Sequence, residues 1–330
     1  MPRPCILIVS PAAARDNNGN WQSASRWARF LRARYRVEIA TAWTPGDAAP
    51  DLLIALHARR SAASLSAFRA VCPERPALLV LTGTDVYRDI AHDDSARASL
   101  VQASAIVVLQ ADALTRLPAT ARANATIIHQ SAPPLAPHAG PALRKHTVSM
   151  IGHLRPEKDP LTFMRAARLV QRDDLRLIHI GGVLAPELGA AAVAEARANP
   201  HYRWLGALPR ARARQHLKRS HAMVIASAME GGANVIIEAV TCGVPVLASD
   251  IGGNRGMLGE DYAGYFTFGD AAALARLIER SVDDPAFYTL LKAQCAARAP
   301  LFAPGAEQAL LGDLVDNLLS AHFNDHRKTS

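Results

Sequence analysis

Two glutamates eight residues apart, Glu230 and Glu238, carry the densest chemical signal in this sequence. They belong to the run Met223–Val246, where an apolar strand ends at Ser227, a glycine loop follows, and a helix opens with Asn234 as N-cap. Gly243 stands where a left-handed C′ residue belongs, and Pro245 enters the next strand. A glycine-lined helix N-terminus offers unpaired N–H groups and partial positive charge to an anion. The two carboxylates suit pairs of sugar hydroxyls. Taken alone, such a pair reads as a loop charge and a solvated helix face. Its neighbours change that reading.

The first neighbour is Gly152-His153-Leu154-Arg155-Pro156-Glu157-Lys158-Asp159, which follows an apolar run. Arg155 and Lys158 stand there at a strand's carboxyl end, where α/β sheets bind ligands, and would face a diphosphate. Tyr202-Arg203-Trp204-Leu205-Gly206 ends another run, with backbone groups and a flat surface for a base. Ser249–Asn254 supplies a further glycine turn. In the first half, four more runs end in polar residues: Asn17-Asn18-Gly19-Asn20, His57-Ala58-Arg59-Arg60-Ser61, Thr82-Gly83-Thr84-Asp85-Val86-Tyr87 and His129-Gln130-Ser131. One such terminus would mean little, and Asn20 could simply be an N-cap. Four at one sheet edge describe a binding site.

Parallel sheets must position these residues. Short apolar runs alternate with helix-length segments from end to end: Cys5–Ser10, Val37–Thr41, Leu52–Leu56, Ala77–Leu81, Ile106–Leu109 and Thr126–His129, then Thr147–Gly152, Leu175–Gly181, Tyr202–Gly206, Ala222–Ser227, Val244–Ser249 and Tyr265–Phe268. Continuous apolar runs fit strands buried on both faces. Trp21–Arg34, Asp159–Gln171 and Ala271–Val282 are amphipathic helix candidates between them. The expected fold is α/β: two Rossmann-like, doubly wound parallel-sheet domains facing each other across a cleft. Residues 1–135 form the first domain, a proline-rich linker spans 136–146, and 147–305 form the second. Residues 306–330 are a C-terminal helix, with Leu310, Leu311, Leu314, Val315 and Leu318 on one face, and a frayed tail, packing back on the first domain.

Composition sets the outer bounds. With 330 residues, 50% hydrophobic and 20% charged, the chain is neither disordered nor too small for two cores. No apolar run is long enough to span a bilayer, and the run after Met-Pro-Arg-Pro is too short for a signal-peptide core. Four cysteines without metal spacing or dense pairing fit reduced thiols in a cytoplasmic enzyme; Cys5 and Cys242 are expected in the core. The net charge of +8 rests on 32 arginines and five lysines in an alanine-rich chain, so it permits an anionic substrate without demonstrating one. There is no lysine-rich run or interleaved aromatic platform for nucleic acid. Asp93-Asp94 and Asp173-Asp174 read as helix-flanking or loop charges.

The order Gly-His-Leu-Arg-Pro-Glu-Lys-Asp, Trp-Leu-Gly, Glu-x7-Glu and Cys-Gly-Val-Pro-Val resembles the retaining nucleotide-sugar glycosyltransferases of the GT-B, family 4 type. The resemblance covers essentially the second half. It implies that Arg155 and Lys158 bind the donor diphosphate, that Glu238 holds the ribose, and that Glu230 contacts the donor sugar. Gly152, His153, Leu205 and the loop Gly231, Gly232, Ala233, Asn234 and Val235 complete the implied donor site. The family commonly has a bulky residue between its two loop glycines; here Gly231 and Gly232 adjoin, which points to a different sugar pocket. Glu230, Arg155 and Lys158 are the implied catalytic residues.

The four polar termini of the first half, together with the length, resemble the selenosugar synthases of the selenoneine pathway. That resemblance implies transfer from UDP-N-acetylglucosamine or UDP-glucose to selenophosphate. UDP and a 1-selenosugar would be the products, the latter taken up by a downstream pathway enzyme. The implied acceptor residues are Asn18, Gly19, Asn20, His57, Arg59, Arg60, Thr84, Asp85, His129, Gln130 and Ser131. No metal or other cofactor is expected, because no Asp-x-Asp motif with a supporting loop is present. Nucleic acid and membrane are not expected as partners. Selenophosphate is already nucleophilic, so it needs cationic capture more than a base. Seating it beside a diphosphate costs about 4 kcal/mol per charge pair at 4 Å and an effective dielectric of ~20. Transfer to a hydroxyl acceptor, or 2-epimerisation of a UDP-sugar, are the competing readings.

Overall fold

A computed structural model describes residues 3–12, 19–136 and 145–328, with the side chains of 323–328 left aside. The chain divides into two compact units, Met1–Gln130 with Pro304–Ser330, and Ser131–Ala303. Each contains one six-stranded, all-parallel sheet with flanking helices.

The first sheet has strands β1 (Cys5–Val9), β2 (Arg36–Ala40), β3 (Leu52–Leu56), β4 (Ala77–Val80), β5 (Ala105–Val108) and β6 (Ala125–Ile127), in the order β2-β1-β3-β4-β5-β6. The second has β7 (His146–Ile151), β8 (Leu175–Ile180), β9 (Tyr202–Trp204), β10 (Ala222–Ile225), β11 (Val246–Ser249) and β12 (Tyr265–Phe266), in the order β12-β11-β10-β7-β8-β9. The second order is that of the dinucleotide-binding Rossmann sheet; the first is flavodoxin-like with a sixth strand added. Each order reverses once, between β1 and β3 and between β7 and β10. Loops leaving neighbouring strands diverge there and leave a crevice at the carboxyl edge.

All twelve expected runs are strands, and most end a residue or two sooner than the apolar pattern suggests. Those residues leave the ladder to form the loops that matter. Strands such as Leu52–Leu56 and Ala222–Ile225 are buried at every position, as a sheet covered on both faces requires.

Alternation along β1 sorts the two cores of the first unit. Leu7 and Val9 face Leu65, Phe68 and Leu100. Ile6 and Ile8 face Ala24, Trp27 and Leu31 of helix Gly19–Leu31, together with Leu311, Val315 and Leu319 of helix Pro304–Lys328. The C-terminal helix thus closes one face of this sheet. Glu307, in its first turn, accepts hydrogen bonds from Arg26 Nε (2.8 and 3.1 Å to its two oxygens) and Trp27 Nε1 (2.7 Å), all buried.

Three local expectations are corrected. Helix Gly19–Leu31 already contains Asn20, which is therefore inside its first turn and not an N-cap. Helix Asn234–Thr241 begins at Asn234 with Ala233 in the cap position and no side-chain cap. Ser249–Asn254 is a strand end running into helix Gly252–Leu258, because Gly252 and Gly253 adopt helical backbone instead of a turn. Cys5 is half-buried as the first residue of β1, whereas Cys242 is buried.

Candidate functional site

At the β7/β10 switch point the two loops are tied together. The loop after β7 carries Gly152–Asp159, with a short 3-10 turn at Pro156–Lys158; the loop after β10 carries Ala226–Ala233. Lys158 Nζ forms an ion pair with Glu230 Oε1, and Ser227 Oγ donates to the same oxygen (2.5 Å). The Ala228 N–H donates to the Glu157 carbonyl (3.0 Å). Glu230 is buried and Lys158 half-buried.

Two glycines allow this proximity. A Cβ on Gly253 would lie 2.0 Å from the Glu230 carbonyl oxygen, and one on Gly181 would lie 1.8 Å from that of Gly152. The Gly152 carbonyl also accepts from His179 Nε2 (3.1 Å), whose Nδ1 takes the Tyr202 hydroxyl (3.0 Å). Burial lowers the His179 pKa to about 4, so this core imidazole stays neutral. Asp159, in left-handed backbone (φ 41°), caps helix Pro160–Leu169 and turns the chain away behind Lys158.

Arg155 is half-buried, and its Nε is enclosed without a hydrogen-bond partner. No carboxylate pairs with it among the described residues, so its charge is available to an anion. His153 Nδ1 accepts from the Gly182 N–H (3.1 Å), which leaves the ring proton on Nε2. Desolvation and then the nearby Arg155 guanidinium hold its pKa below the usual imidazole value. Trp204 donates Nε1–H to the Gly181 carbonyl (2.9 Å), and Leu205 donates its N–H to His179 O (2.9 Å). Gly231 and Ala233 are buried; Gly232, Asn234 and Val235 are half-buried.

Glu238 is buried and held by two arginines that the motifs above do not contain. Arg210 Nε and Nη2 each lie 2.7 Å from Oε1, and Arg214 Nε lies at 3.9 Å. Both come from helix Arg210–Lys218, where their i, i+4 spacing was the available signal. Arg214 Nη2 also donates to the Pro133 carbonyl. The second unit therefore offers an unpaired guanidinium, an ammonium and two buried carboxylates, which is the chemistry of an anionic, hydroxyl-bearing ligand.

In the first unit, residues leaving β3 and β4 meet at the carboxyl edge. His57 is buried in left-handed backbone (φ 74°), a strained conformation for a non-glycine residue, and such strain gathers at functional positions. Its Nδ1 accepts from the Arg60 N–H (3.3 Å) and its Nε2 meets Thr84 Oγ1 (3.0 Å). Burial lowers its pKa. Asp85 is corrected from a ligand contact to a loop organiser. It is fully buried and accepts from the backbone N–H groups of Ala58, Thr82, Gly83 and Val86. Arg59 is exposed, and its Nε is tied to Asp89 (2.9 Å); Arg60 makes no side-chain ion pair among the described residues. Gln130 is buried and donates to Ser23, and His129 is half-buried; Ser131, also buried, begins the second unit. Gly19 and Asn20 open their helix. Asn17, Asn18 and the linker residues 137–144 lie outside the described residues.

Among the described residues, no group of three or more His, Cys, Asp and Glu is placed to hold a metal ion, and no helix is long and apolar enough to cross a membrane.

Residues 137–299 match the family model for glycosyl transferases group 1. The matched stretch is nearly all of the second unit and just under half of the chain. A segment of 181 residues is 26% identical to a D-inositol 3-phosphate glycosyltransferase of Streptosporangium roseum, covering 51% of this chain and 42% of that protein. The match thus spans less than half of that relative's length. Among solved structures, HepE of Anabaena in complex with UDP and glucose has a TM-score of 0.77 at 16% identity, covering 95% of this chain and all of that one. Sucrose-phosphate synthase of Thermosynechococcus elongatus has a TM-score of 0.78 at 19% identity, over 97% and 100%. The two-sheet architecture is the GT-B fold of those proteins.

Proposed function

We propose that the chain is a UDP-sugar-dependent glycosyltransferase that transfers the sugar to selenophosphate, releasing UDP and forming a 1-selenosugar. The observation that carries the donor half is the unpaired Arg155 beside the Lys158–Glu230 pair at the β7/β10 switch point. The group 1 match over the same unit and the UDP and glucose bound by HepE support it. Arg155 and Lys158 receive the departing phosphate charge, the main electrostatic contribution to displacement at C1. Glu230 and Glu238 hold sugar and ribose hydroxyls. The nucleophile's Se–C1 bond forms as the C1–O bond to UDP breaks; water must later cleave Se–P and release phosphate. Both nitrogens of His57 are engaged by Arg60 and Thr84, which supports an acceptor that needs no general base.

The test is direct. Purified protein incubated with UDP-N-acetylglucosamine or UDP-glucose and selenophosphate should release UDP and yield a selenosugar detectable by mass spectrometry. No UDP above background from folded protein overturns the acceptor assignment. One alternative has its own support: the relative named for D-inositol 3-phosphate favours a phosphorylated hydroxyl acceptor. Turnover with a panel of sugar and polyol phosphates, and not with selenophosphate, would establish it. UDP-sugar epimerisation without any acceptor would instead favour an epimerase.

A further inference from the structure

The loops after β3 and β4 hold a pair of arginines of which the acceptor reading names Arg59 alone. Asp89, buried in the π-helical turn Asp85–Asp89, accepts the Nε–H of Arg59 (2.9 Å) on Oδ2 and that of Arg88 (3.0 Å) on Oδ1. His57 Nε2 stands 3.8 Å behind it. Within the described residues, neither guanidinium bonds through its terminal amino groups, and the two side chains are 39% and 46% exposed. They line an open hollow of about 440 Å³ with Asp89, His92 and Asp93.

The carboxylates nearby are already committed. Asp85 is saturated by backbone N–H groups. Asp93 caps helix Asp94–Gln102, accepting from Ala96 N (2.9 Å) and Ser95 Oγ (2.5 Å). Asp89 is spent on the two arginines. Arg59, Arg60 and Arg88 stand against Asp85, Asp89 and Asp93, so net charge nearly cancels and cannot by itself attract an anion. What remains is directional: two planar forks fixed by their inner nitrogens to one buried carboxylate. Guanidinium forks match tetrahedral oxyanions with paired hydrogen bonds, and holding them in advance removes the entropy of ordering two long side chains.

We propose that Arg59 and Arg88 form a preorganised site for a phosphate-type oxyanion, with Asp89 as the residue that positions both. Arg88 joins the site although its neighbours in sequence gave no sign of it. The proposal deepens the acceptor reading above and rests on it for the identity of the anion. The site would grip either a free oxyanion or the phosphate of an organic phosphomonoester.

The full chain is saturated with UDP to occupy the donor site, and inorganic phosphate or glycerol 3-phosphate is titrated calorimetrically. Phosphate alone binding marks a free-oxyanion site; glycerol 3-phosphate binding more tightly marks a phosphomonoester site. Arg88→Ala should weaken the better ligand about tenfold or more, with UDP affinity unchanged within about twofold, and Arg88→Lys should restore only part. Asp89→Asn separates positioning from charge. It removes one negative charge, so a site working by charge alone would bind phosphate more tightly, whereas a positioned fork binds it more weakly. Melting curves identify variants that fail to fold, and Arg88→Ala, at an exposed position, stands if Asp89→Asn does not. Unchanged affinity in Arg88→Ala, tighter binding in folded Asp89→Asn, or no binding of either probe overturns the proposal. Selenophosphate turnover with a KM indifferent to Arg88→Ala would remove this site and leave the acceptor reading intact. Arg88-dependent phosphate binding without selenophosphate turnover would do the reverse.

Discussion

Lys158 and Glu230 form a partly buried ion pair that joins the two loops at the switch point of the second sheet. Removing one partner of such a pair leaves the other charged and enclosed, at a cost of roughly 3–5 kcal/mol when burial is deep and less at the rim. Lys158→Ala should therefore lower the denaturation midpoint and weaken UDP binding about tenfold or more, ~1.4 kcal/mol. Glu230→Gln keeps the shape and the Ser227 contact, so UDP affinity should hold while sugar turnover falls at least about tenfold. Calorimetry with UDP beside a turnover assay separates the two. A Glu230→Gln variant with full turnover would remove Glu230 from the reaction.

Glu238 is the shared partner of Arg210 and Arg214. Its removal leaves Arg214, which is only 12% exposed, without its carboxylate. Glu238→Ala should weaken UDP binding and lower thermal stability together. In a double-mutant cycle with Arg210→Ala the losses should be non-additive by about 0.5–3 kcal/mol, the range for residues in one network. Strict additivity in urea denaturation would contradict the coupling.

Gly253 has no room for a side chain beside the Glu230 carbonyl. Gly253→Ala should push the Glu230 loop away from Lys158 and reduce sugar turnover, although residue 253 makes no polar side-chain contact of its own. Normal turnover, with a crystal structure showing the loop unmoved, would show that the helix Gly252–Leu258 yields instead.

Stability should fall in mild acid. Burial keeps His179 and His221 neutral down to a pKa of about 4, and it lowers His57 as well. The unfolded chain takes these protons near pH ~6.5. Between about pH 6.5 and 4 the unfolded state therefore binds more protons, and stability declines as pH drops through that window. Each of the two deeper shifts is linked to at most roughly 3 kcal/mol, and less for the partly solvated His221. Urea denaturation at about pH 7.5, 6 and 5 should show the decline, and His221→Gln should flatten part of it. A pH-independent midpoint would count against the buried neutral imidazoles.

Much of this architecture was legible in the sequence because strands covered on both faces leave continuous apolar runs, such as Leu52–Leu56. Gly152–Asp159 and Glu230–Glu238 stood out as a candidate site because glycines between a strand and a helix, with charged residues beside them, suit an anion. Arg88 did not, since nothing local separates it from the many other arginines in this chain, and the i, i+4 spacing of Arg210 and Arg214 is a weak signal in so arginine-rich a sequence. Arg59 was found and its partner missed: Asp89 lies thirty residues away in sequence, and only the adjacency of β3 and β4 brings them together. Asp85 was misread because its polar neighbours suggested a ligand where backbone N–H groups were the partners.

The C-terminal helix carries a consequence for how the chain is made. Ile6, Ile8 and Trp27 wait for Leu311, Val315 and Leu319, and Arg26 waits for Glu307. On the ribosome, the half synthesised first cannot close its second core until residues beyond Pro304 have emerged. The second unit, whose strands and helices all lie within Ser131–Ala303, has no such dependence. Domains ordinarily mature in the order of their synthesis; here helix Gly19–Leu31 covers only part of one face of the first sheet, and the part under Leu311, Val315 and Leu319 stays open until the last helix emerges.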